Sequence, residues 1–327
     1  MSKDTGGLRS YILRRILYGA LVIFAVVIFN FLLIHSAPGS PAYIMAGEIS
    51  TPEYVAQIER EWGLDQPIYT QLGVYIFQVF QGNFGHSYVY GASVMSVIME
   101  RVNATLLLMI SVIILAALAG TILGVIASLK VHSVLDNVLS VGALMGRAVP
   151  SFWSAQIVLL VFAVYLGWFP AQGMFSVRVQ YTGLAYYLDI LYHAFLPIAN
   201  LSLVYLAIIF RLTRASMLEH LNEDYIVTAR AKGLGERAVL FKHTLRNAVL
   251  PIISVVGSEF SLVLGGAVVT ETIFGWPGIG RLVATSIYAR DYPVLMGVFI
   301  IVAVMVVVVN LVTDIIYAFI DPRIRYK

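Results

Sequence analysis

The 327-residue chain has no cysteine, little charge and few lysines. Without cysteine it can form no disulfide, no thiol nucleophile and no thiolate metal site. Charged residues make up 12% of the chain, about half the share of a soluble domain. The lysines are Lys3, Lys130, Lys232, Lys242 and Lys327. None follows the glycine spacing of a Gly-x-x-x-x-Gly-Lys-Ser/Thr loop, which excludes ATP binding through such a loop. His35, His86, His132, His193, His220 and His243 are scattered, with no pair at helical spacing to present a metal face. The sequence therefore assigns no cofactor and no metal. Ser151 or Ser202 with His193 would be the members of an intramembrane hydrolase, but the sequence supplies no oriented pair.

What the chain has in place of charge is apolar surface. Hydrophobic residues are 60% of the total and mean hydropathy is +0.87. An excess of that size needs lipid as its solvent, and a helix that crosses lipid needs about 20 mostly apolar residues. Six segments qualify, at about 12–36, 104–129, 137–166, 193–213, 249–271 and 294–320. They predict an all-α membrane protein, a six-span helical bundle. A basic flank of Lys3, Arg9, Arg14 and Arg15 precedes the first. Its apolar run, Ile16 to Ile34, exceeds the roughly 7–15 residues of a signal core, so it is expected to be a retained helix. Arg147 and Pro150 lie in the third, where a kink or break is expected. The fourth is the weakest, diluted by His193, Pro197 and Asn200. The stretch at 182–192, with Asp189, is expected to be a separate interfacial helix.

Six spans put both termini on one side. Of the 21 Lys and Arg residues, fifteen fall on that side, and Arg147 lies in a span. The remaining five, Arg60, Arg101, Arg178, Arg281 and Arg290, fall on the other. The positive-inside rule then makes both termini cytoplasmic. The expected layout is a cytoplasmic N-terminus at 1–11, a long external loop at 37–103 rich in acidic residues from Glu48 to Asp65, and a core domain at 104–321. That core has a cytoplasmic loop at 214–248, and a cytoplasmic tail follows at 322–327.

Ionisable residues inside the spans are few: Arg147, Glu259 and Asp314. Each must face protein or water rather than lipid, so Arg147 and Glu259 stand either on a pathway or interface, or in structural ion pairs. Three such groups are too few for a proton relay or ion cage, which weighs against an ion-coupled secondary transporter. Gly120 with Gly124, and Gly142 with Gly146, have the spacing that lets helix backbones approach, and Gly265-Gly266 would loosen the fifth span.

The most informative stretch is the cytoplasmic run from Glu223 to Arg237. Asn222 is the expected N-cap of a short helix whose first turn carries Glu223 and Asp224, matching the helix dipole. Gly233 and Gly235 let the chain leave that helix and enter another. Beyond them, Ala238, Val239, Phe241, Leu245 and Val249 are expected to form an apolar stripe, and Pro251 to mark the start of the fifth span. A short helix held beneath two spans transmits a rigid-body push; an amphipathic loop lying on anionic lipid is the alternative.

This run resembles the coupling-loop motif of binding-protein-dependent ABC importer permeases: Glu-Ala-Ala, three residues, Gly, nine residues, Ile, one residue, Leu-Pro. Aligned on Gly233, Ala229 and Leu245 also match, whereas the leading Glu and closing Pro do not. The departures are those of the oligopeptide/dipeptide/nickel branch, whose Asp-Tyr-x-x-Thr-Ala-Arg-Ala-Lys-Gly-Leu run is similar to Asp224–Leu234 here. Further segments in family order include Pro38-Gly39-Ser40-Pro41, Gly82-Asn83-Phe84-Gly85-His86-Ser87, Val149-Pro150-Ser151-Phe152-Trp153, Glu271-Thr272-Ile273-Phe274-Gly275-Trp276 and Asp321-Pro322-Arg323. The resemblance implies a permease subunit in the cytoplasmic (inner) membrane that is not itself an enzyme. Its partners would be a second, different permease subunit, two ATP-binding subunits and an extracytoplasmic solute-binding protein; no nucleic acid is implied. ATPase coupling would fall to Glu223, Asp224, Tyr225, Ala229, Arg230, Lys232, Gly233 and Leu234, and Arg147, Pro150, Glu259 and Glu271 would stand on the pathway or an interface. Short peptides are the implied cargo, with oligosaccharides and nickel complexes as alternatives in the branch.

Overall fold

A computed structural model describes residues 5–36, 39–47 and 51–320. Lys3, Pro38, Glu48 and the tail from Asp321 to Lys327 lie outside the described residues. In chain order the elements are α1 (Thr5–Ser36), α2 (Pro41–Ala46), α3 (Pro52–Trp62) and α4 (Ile68–Phe80). A small antiparallel ladder follows, β1 (His86–Ser87) with β2 (Ala92–Ser93), pairing His86 with Ser93 and Ser87 with Ala92. Then come α5 (Val94–Leu129), α6 (Val134–Ala148) and α7 (Ser151–Val158), the last running on as π-helix through Leu159–Tyr165. They are followed by α8 (Leu184–Leu221), α9 (Asp224–Ala231), and α10 (Glu236–Ala238) with a π-helical continuation Val239–Thr244. The chain ends in α11 (Leu245–Ile273), α12 (Ile279–Tyr288) and α13 (Tyr292–Ile320). Among the described residues five helices are long and apolar enough to cross a membrane, and the bent pair α6–α7 makes a sixth span when taken as one.

The chain forms two compact units, Met1–Thr105 with Pro277–Leu311, and Leu106–Trp276 with Val312–Lys327. In the first, Thr51 caps α3, its hydroxyl accepting from the Tyr54 N–H at 3.3 Å, and Gly63 closes the helix at φ 61°. Val55, Ile58 and Trp62 of α3 join a core with Val27, Phe31 and Ile34 of α1 and Val94, Val97 and Ile98 of α5. The segment at 37–103 holds short helices, as its pattern suggests, and α5 begins at Val94 rather than at 104. Glu100, Arg101 and Asn103 interrupt the apolar run, but Val94, Val97 and Ile98 form an i, i+3, i+4 face that the core buries. Polar ties complete the unit. Asn30 Nδ2 donates to the Met296 carbonyl at 3.0 Å and the Ile279 N–H to Thr105 Oγ1 at 2.8 Å. The Ser87 hydroxyl donates to the buried Asp291 carboxylate, and the Tyr88 hydroxyl to the Ala289 carbonyl. Burial pushes the Asp291 carboxyl above its ordinary range, against the Ser87 and Val294 donors that favour its charged form.

In the second unit, one expectation is met and one needs correction. The break expected in the span at 137–166 is present, as two helices meeting at 103°. Pro150 has no N–H and forces the preceding residue out of the helical region, and Val149 is extended at φ −74°, ψ 127°. The weak fourth span and the separate interfacial helix are one helix, α8, of 38 residues. Its polar residues do not break it because most of their groups find partners, within the helix or on other segments, the buried Asn200 Oδ1 being the exception. Asp189 accepts from the Ser176 N–H at 2.6 Å and hydroxyl at 2.8 Å, and His193 Nδ1 donates to the Asp189 carbonyl at 2.8 Å. Asn200 Nδ2 reaches the Ser151 carbonyl at 3.3 Å, and Ser202 Oγ the Val112 carbonyl at 3.2 Å. No Ser–His pair forms among the described residues. At about 1.5 Å per residue, α8 is roughly twice the hydrocarbon thickness, so it extends well past the apolar layer. The glycine pair Gly120 and Gly124 meets α8. A Cβ at Gly120 would lie 3.0 Å from Ile209, and one at Gly124 would lie 2.9 Å from the Phe210 carbonyl. Gly142 faces open space. Pro251 lies inside α11, not at its start.

Candidate functional site

The run singled out by sequence forms a hairpin of two short helices. Ile226 and Ala229, three residues apart on α9, are buried against Val239. The rest of α9 is exposed, including Asp224, Tyr225, Val227, Thr228 and Arg230. Glu223 occupies the N-cap position with an extended backbone and no side-chain cap, and Asp224 lies in the first turn. Asn222, the expected N-cap, ends α8 instead, its Nδ2 donating to the Leu218 carbonyl at 2.9 Å. The reason is that α8 continues past the expected boundary at 213, so Asn222 serves the helix behind it. At the far end Lys232 is the C-cap and Gly233 turns left-handed at φ 75°. The Leu234 N–H donates to the Ala229 carbonyl at 3.3 Å and the Gly233 N–H to the Arg230 carbonyl at 2.9 Å, a glycine-closed helix end. Arg230 pairs with Glu236 at 2.9 Å across the turn, and the Tyr225 hydroxyl lies 3.2 Å from His220 Nδ1.

Behind the hairpin the anchoring is buried. The π-helical turn widens the coil, so the expected stripe is not continuous: Val239 is buried while Phe241 is exposed. Thr244 Oγ1 donates to the Val239 carbonyl at 3.1 Å, and Ser216 Oγ to the Ala248 carbonyl at 3.1 Å. Val125 of α5, Met217 of α8 and Ala248 of α11 pack together beside them. The turn behind α9 is thus packed against three long helices.

A second feature lies in the same unit. Arg147 of α6, Arg211 and Arg214 of α8 and Glu259 of α11 line an open cleft of about 790 Å³, with Ser140 and Leu144. Arg147 and Glu259, singled out by sequence, are thus brought together and interact electrostatically. Pro150 is at the bend after α6, and Glu271 is fully buried in α11; neither lines the cleft. Sequence reasoning missed Asp136. Arg214 grips it with two hydrogen bonds, Nε at 2.6 Å and Nη2 at 2.7 Å. The His132 N–H and the Ser140 hydroxyl complete its shell at 3.0 and 3.4 Å. Asp136 fell one residue outside the expected span. The signal that finds it is Ser133 three residues ahead, whose hydroxyl accepts from the Asp136 N–H at 3.2 Å, the spacing of a helix-starting cap. Among the described residues no cluster of side chains could hold a metal ion.

Both features lie in a region similar to known proteins. A family model described as "Binding-protein-dependent transport system inner membrane component" matches residues 120–326, and its N-terminal companion matches residues 8–109. The chain is 41% identical over 316 residues to a probable peptide ABC transporter permease protein, y4tP, of Sinorhizobium fredii, covering 97% of this chain and 99% of that one. It is 40% identical over 318 residues to the oligopeptide transport system permease protein AppB of Bacillus subtilis, with the same coverage. It is 38% identical over 331 residues to the dipeptide transport system permease protein DppB of Alkalihalophilus pseudofirmus, again covering 97% and 99%. Among solved structures it is similar in fold to the MetNI methionine ABC transporter in inward-facing conformations. That match has a TM-score of 0.56 and 16% identity, over 69% of this chain and 97% of that one.

Proposed function

We propose, from the premise that this chain belongs to the inner-membrane components of binding-protein-dependent transport systems, that α9 is the element through which it is driven by ATPase subunits. The chain is a multi-pass, non-catalytic permease subunit of a peptide-type ABC importer, and ATP hydrolysis belongs to separate subunits. In the proposed assembly it pairs with a different permease subunit in the cytoplasmic membrane, above two ATPases, and receives cargo from an external binding protein. Both termini and the hairpin are cytoplasmic. Short peptides are the cargo, as the names of its relatives suggest.

One observation carries the coupling reading. α9 is tied to the chain by two small buried contacts and otherwise exposed, while the turn behind it is locked to α5, α8 and α11. An exposed helix on a rigid mount is suited to dock in a partner's groove and pass on its movement. Arg230 and Lys232 on its flank, and Tyr225 at its start, are the groups offered to that partner.

The reading is tested with Ala229→Asp and Gly233→Trp in the complete importer. The expected result is normal insertion in the membrane with loss of both uptake and ATPase co-purification. Full uptake by both variants overturns the coupling role. Proteoliposomes holding this chain alone, under an ion gradient, provide the complementary measurement: solute uptake there would mark it as a self-sufficient transporter instead.

A further inference from the structure

The cleft lined by Arg147, Arg211, Arg214 and Glu259 has an uneven distribution of charge compensation. Asp136 saturates Arg214 with two short bonds. Glu259 stands opposite Arg147. Arg211 is exposed at the cleft wall, and no hydrogen bond or ion pair engages it among the described residues. Two of the three guanidinium groups thus have a carboxylate and one does not, leaving one net positive charge. The half-buried Glu259 carboxylate also has no hydrogen-bond donor among the described residues. The cleft therefore offers, within about 790 Å³, one cation seeking an anion and one carboxylate able to accept from a cation. That volume is in the range of small-molecule sites, and a guanidinium is the side chain best shaped to take a carboxylate through two parallel bonds.

We infer that this cleft is a station for a zwitterionic short peptide, with Arg211 taking its terminal carboxylate and Glu259, beside Arg147, taking its terminal ammonium. The inference rests on the peptide-permease reading and deepens it. Arg211 lies ten residues before the end of α8 at Leu221, about 15 Å along the helix axis. In the proposed orientation the station is therefore on the cytoplasmic side of the apolar layer, close above the hairpin. Ser140 and the exposed Leu144 and Ala215 complete a wall that makes no specific demand on peptide side chains. Recognition through the two ends alone suits a pathway that must pass many sequences.

Because the external receptor has its own selectivity, the test uses the assembled complex of this chain, its companion permease and the ATPases without receptor. It is purified in detergent and titrated by equilibrium dialysis with trialanine, trialanine amide and N-acetyl-trialanine. The wild-type complex is expected to prefer trialanine over either capped form by about tenfold, the scale of one charge-assisted hydrogen bond. Arg211→Gln should abolish the preference over the amide and retain that over the acetylated form; Glu259→Gln should do the reverse; Arg211→Lys should keep most of the first preference. Equal binding of the three peptides by the wild type, or loss of both preferences in each Gln variant, overturns the station. So does failure of Arg211→Glu, but not Arg211→Gln, to co-purify the companion permease, which would make Arg211 a subunit contact. Uptake by the complete importer with receptor is measured in parallel. Uptake without any end preference sinks the station alone, whereas a wild-type importer that moves no peptide sinks the permease reading beneath it.

Discussion

The Asp136–Arg214 pair and the α9 hairpin belong to the same unit and are built on opposite terms. At the pair, a carboxylate 1% exposed holds a guanidinium through two bonds and is served by a backbone N–H and a hydroxyl besides. At the hairpin, three side chains are buried and the ion pair Arg230–Glu236 is open to solvent. The first region is complete within the chain. The second leaves most of its surface uncommitted. In the proposed coupling role the uncommitted surface of the hairpin is what a partner would grip, whereas the pair has nothing left to offer one.

Removing the pair is the strongest way to break the contrast. Asp136→Ala strands the Arg214 guanidinium; losing one partner of a buried pair costs about 3–5 kcal/mol, and the 26% exposure of Arg214 puts this pair at the low end of that range. The measurable result is a large fall in the thermal midpoint of the detergent-solubilised complex. The double variant Asp136→Leu with Arg214→Met should recover most of it, because an apolar pair of similar volume removes the stranded charge. If the single variant melts like the wild type, the pair does not hold α6 to α8.

At the hairpin, Ala229→Asp is expected to act on coupling more than on stability. Ala229 is 6% exposed beside Ile226 and Val239, so an introduced carboxylate must swing α9 off its mount to reach water. Uptake should be lost while the melting midpoint moves less than for Asp136→Ala. Gly233 gives the next smaller effect. A Cβ there would meet nothing within 4 Å, so the only obstacle is the left-handed backbone at φ 75°. Gly233→Ala should cost about 1–2 kcal/mol, lowering uptake partially. Gly233→Asn should do better than alanine, since asparagine tolerates that conformation. Alanine outperforming asparagine would show that the left-handed turn is not kept in the working importer.

The same two regions explain what was legible in the sequence. The hairpin was readable because its information is local: acidic residues, a helical run and Gly233 lie within a dozen positions, and a turn that needs φ above zero announces itself. The helix count was readable because lipid imposes length and apolarity on each span separately. What the sequence hid depends on partners far along the chain. α8 looked too polar to be one helix because Asp189 is satisfied by Ser176 and Asn200 by the Ser151 carbonyl. Asp136 looked like a loop residue because its partner Arg214 is in another helix. The bend at Pro150 was visible, but not its 103° angle, which packing against α8 and α11 decides. Asp291 is a similar case. Its carboxyl is pushed up by burial and met by Ser87, more than 200 positions away. Its raised value favours the folded state below the ordinary carboxylate pKa and loses that advantage as pH rises through the raised value, so Asp291→Asn should flatten the stability profile between those two points.

The smallest effect expected is at Arg230–Glu236, and it sharpens the comparison most cleanly. Both pairs are Arg–carboxylate contacts under 3 Å, so distance alone would rank them as equals. Solvent separates them. Arg230 and Glu236 are 44% and 73% exposed, and water and salt screen such a pair to about 0–1 kcal/mol. Glu236→Ala should therefore leave the melting midpoint nearly unchanged, and the change should vanish in high salt. Arg230→Ala should be equally silent in stability yet reduce ATPase co-purification, because in the proposed assembly its charge is offered to the partner. A stability loss from Glu236→Ala approaching that of Asp136→Ala would mean that the tip of the hairpin is buried in the working importer, with the pair enclosed by the subunit that docks there.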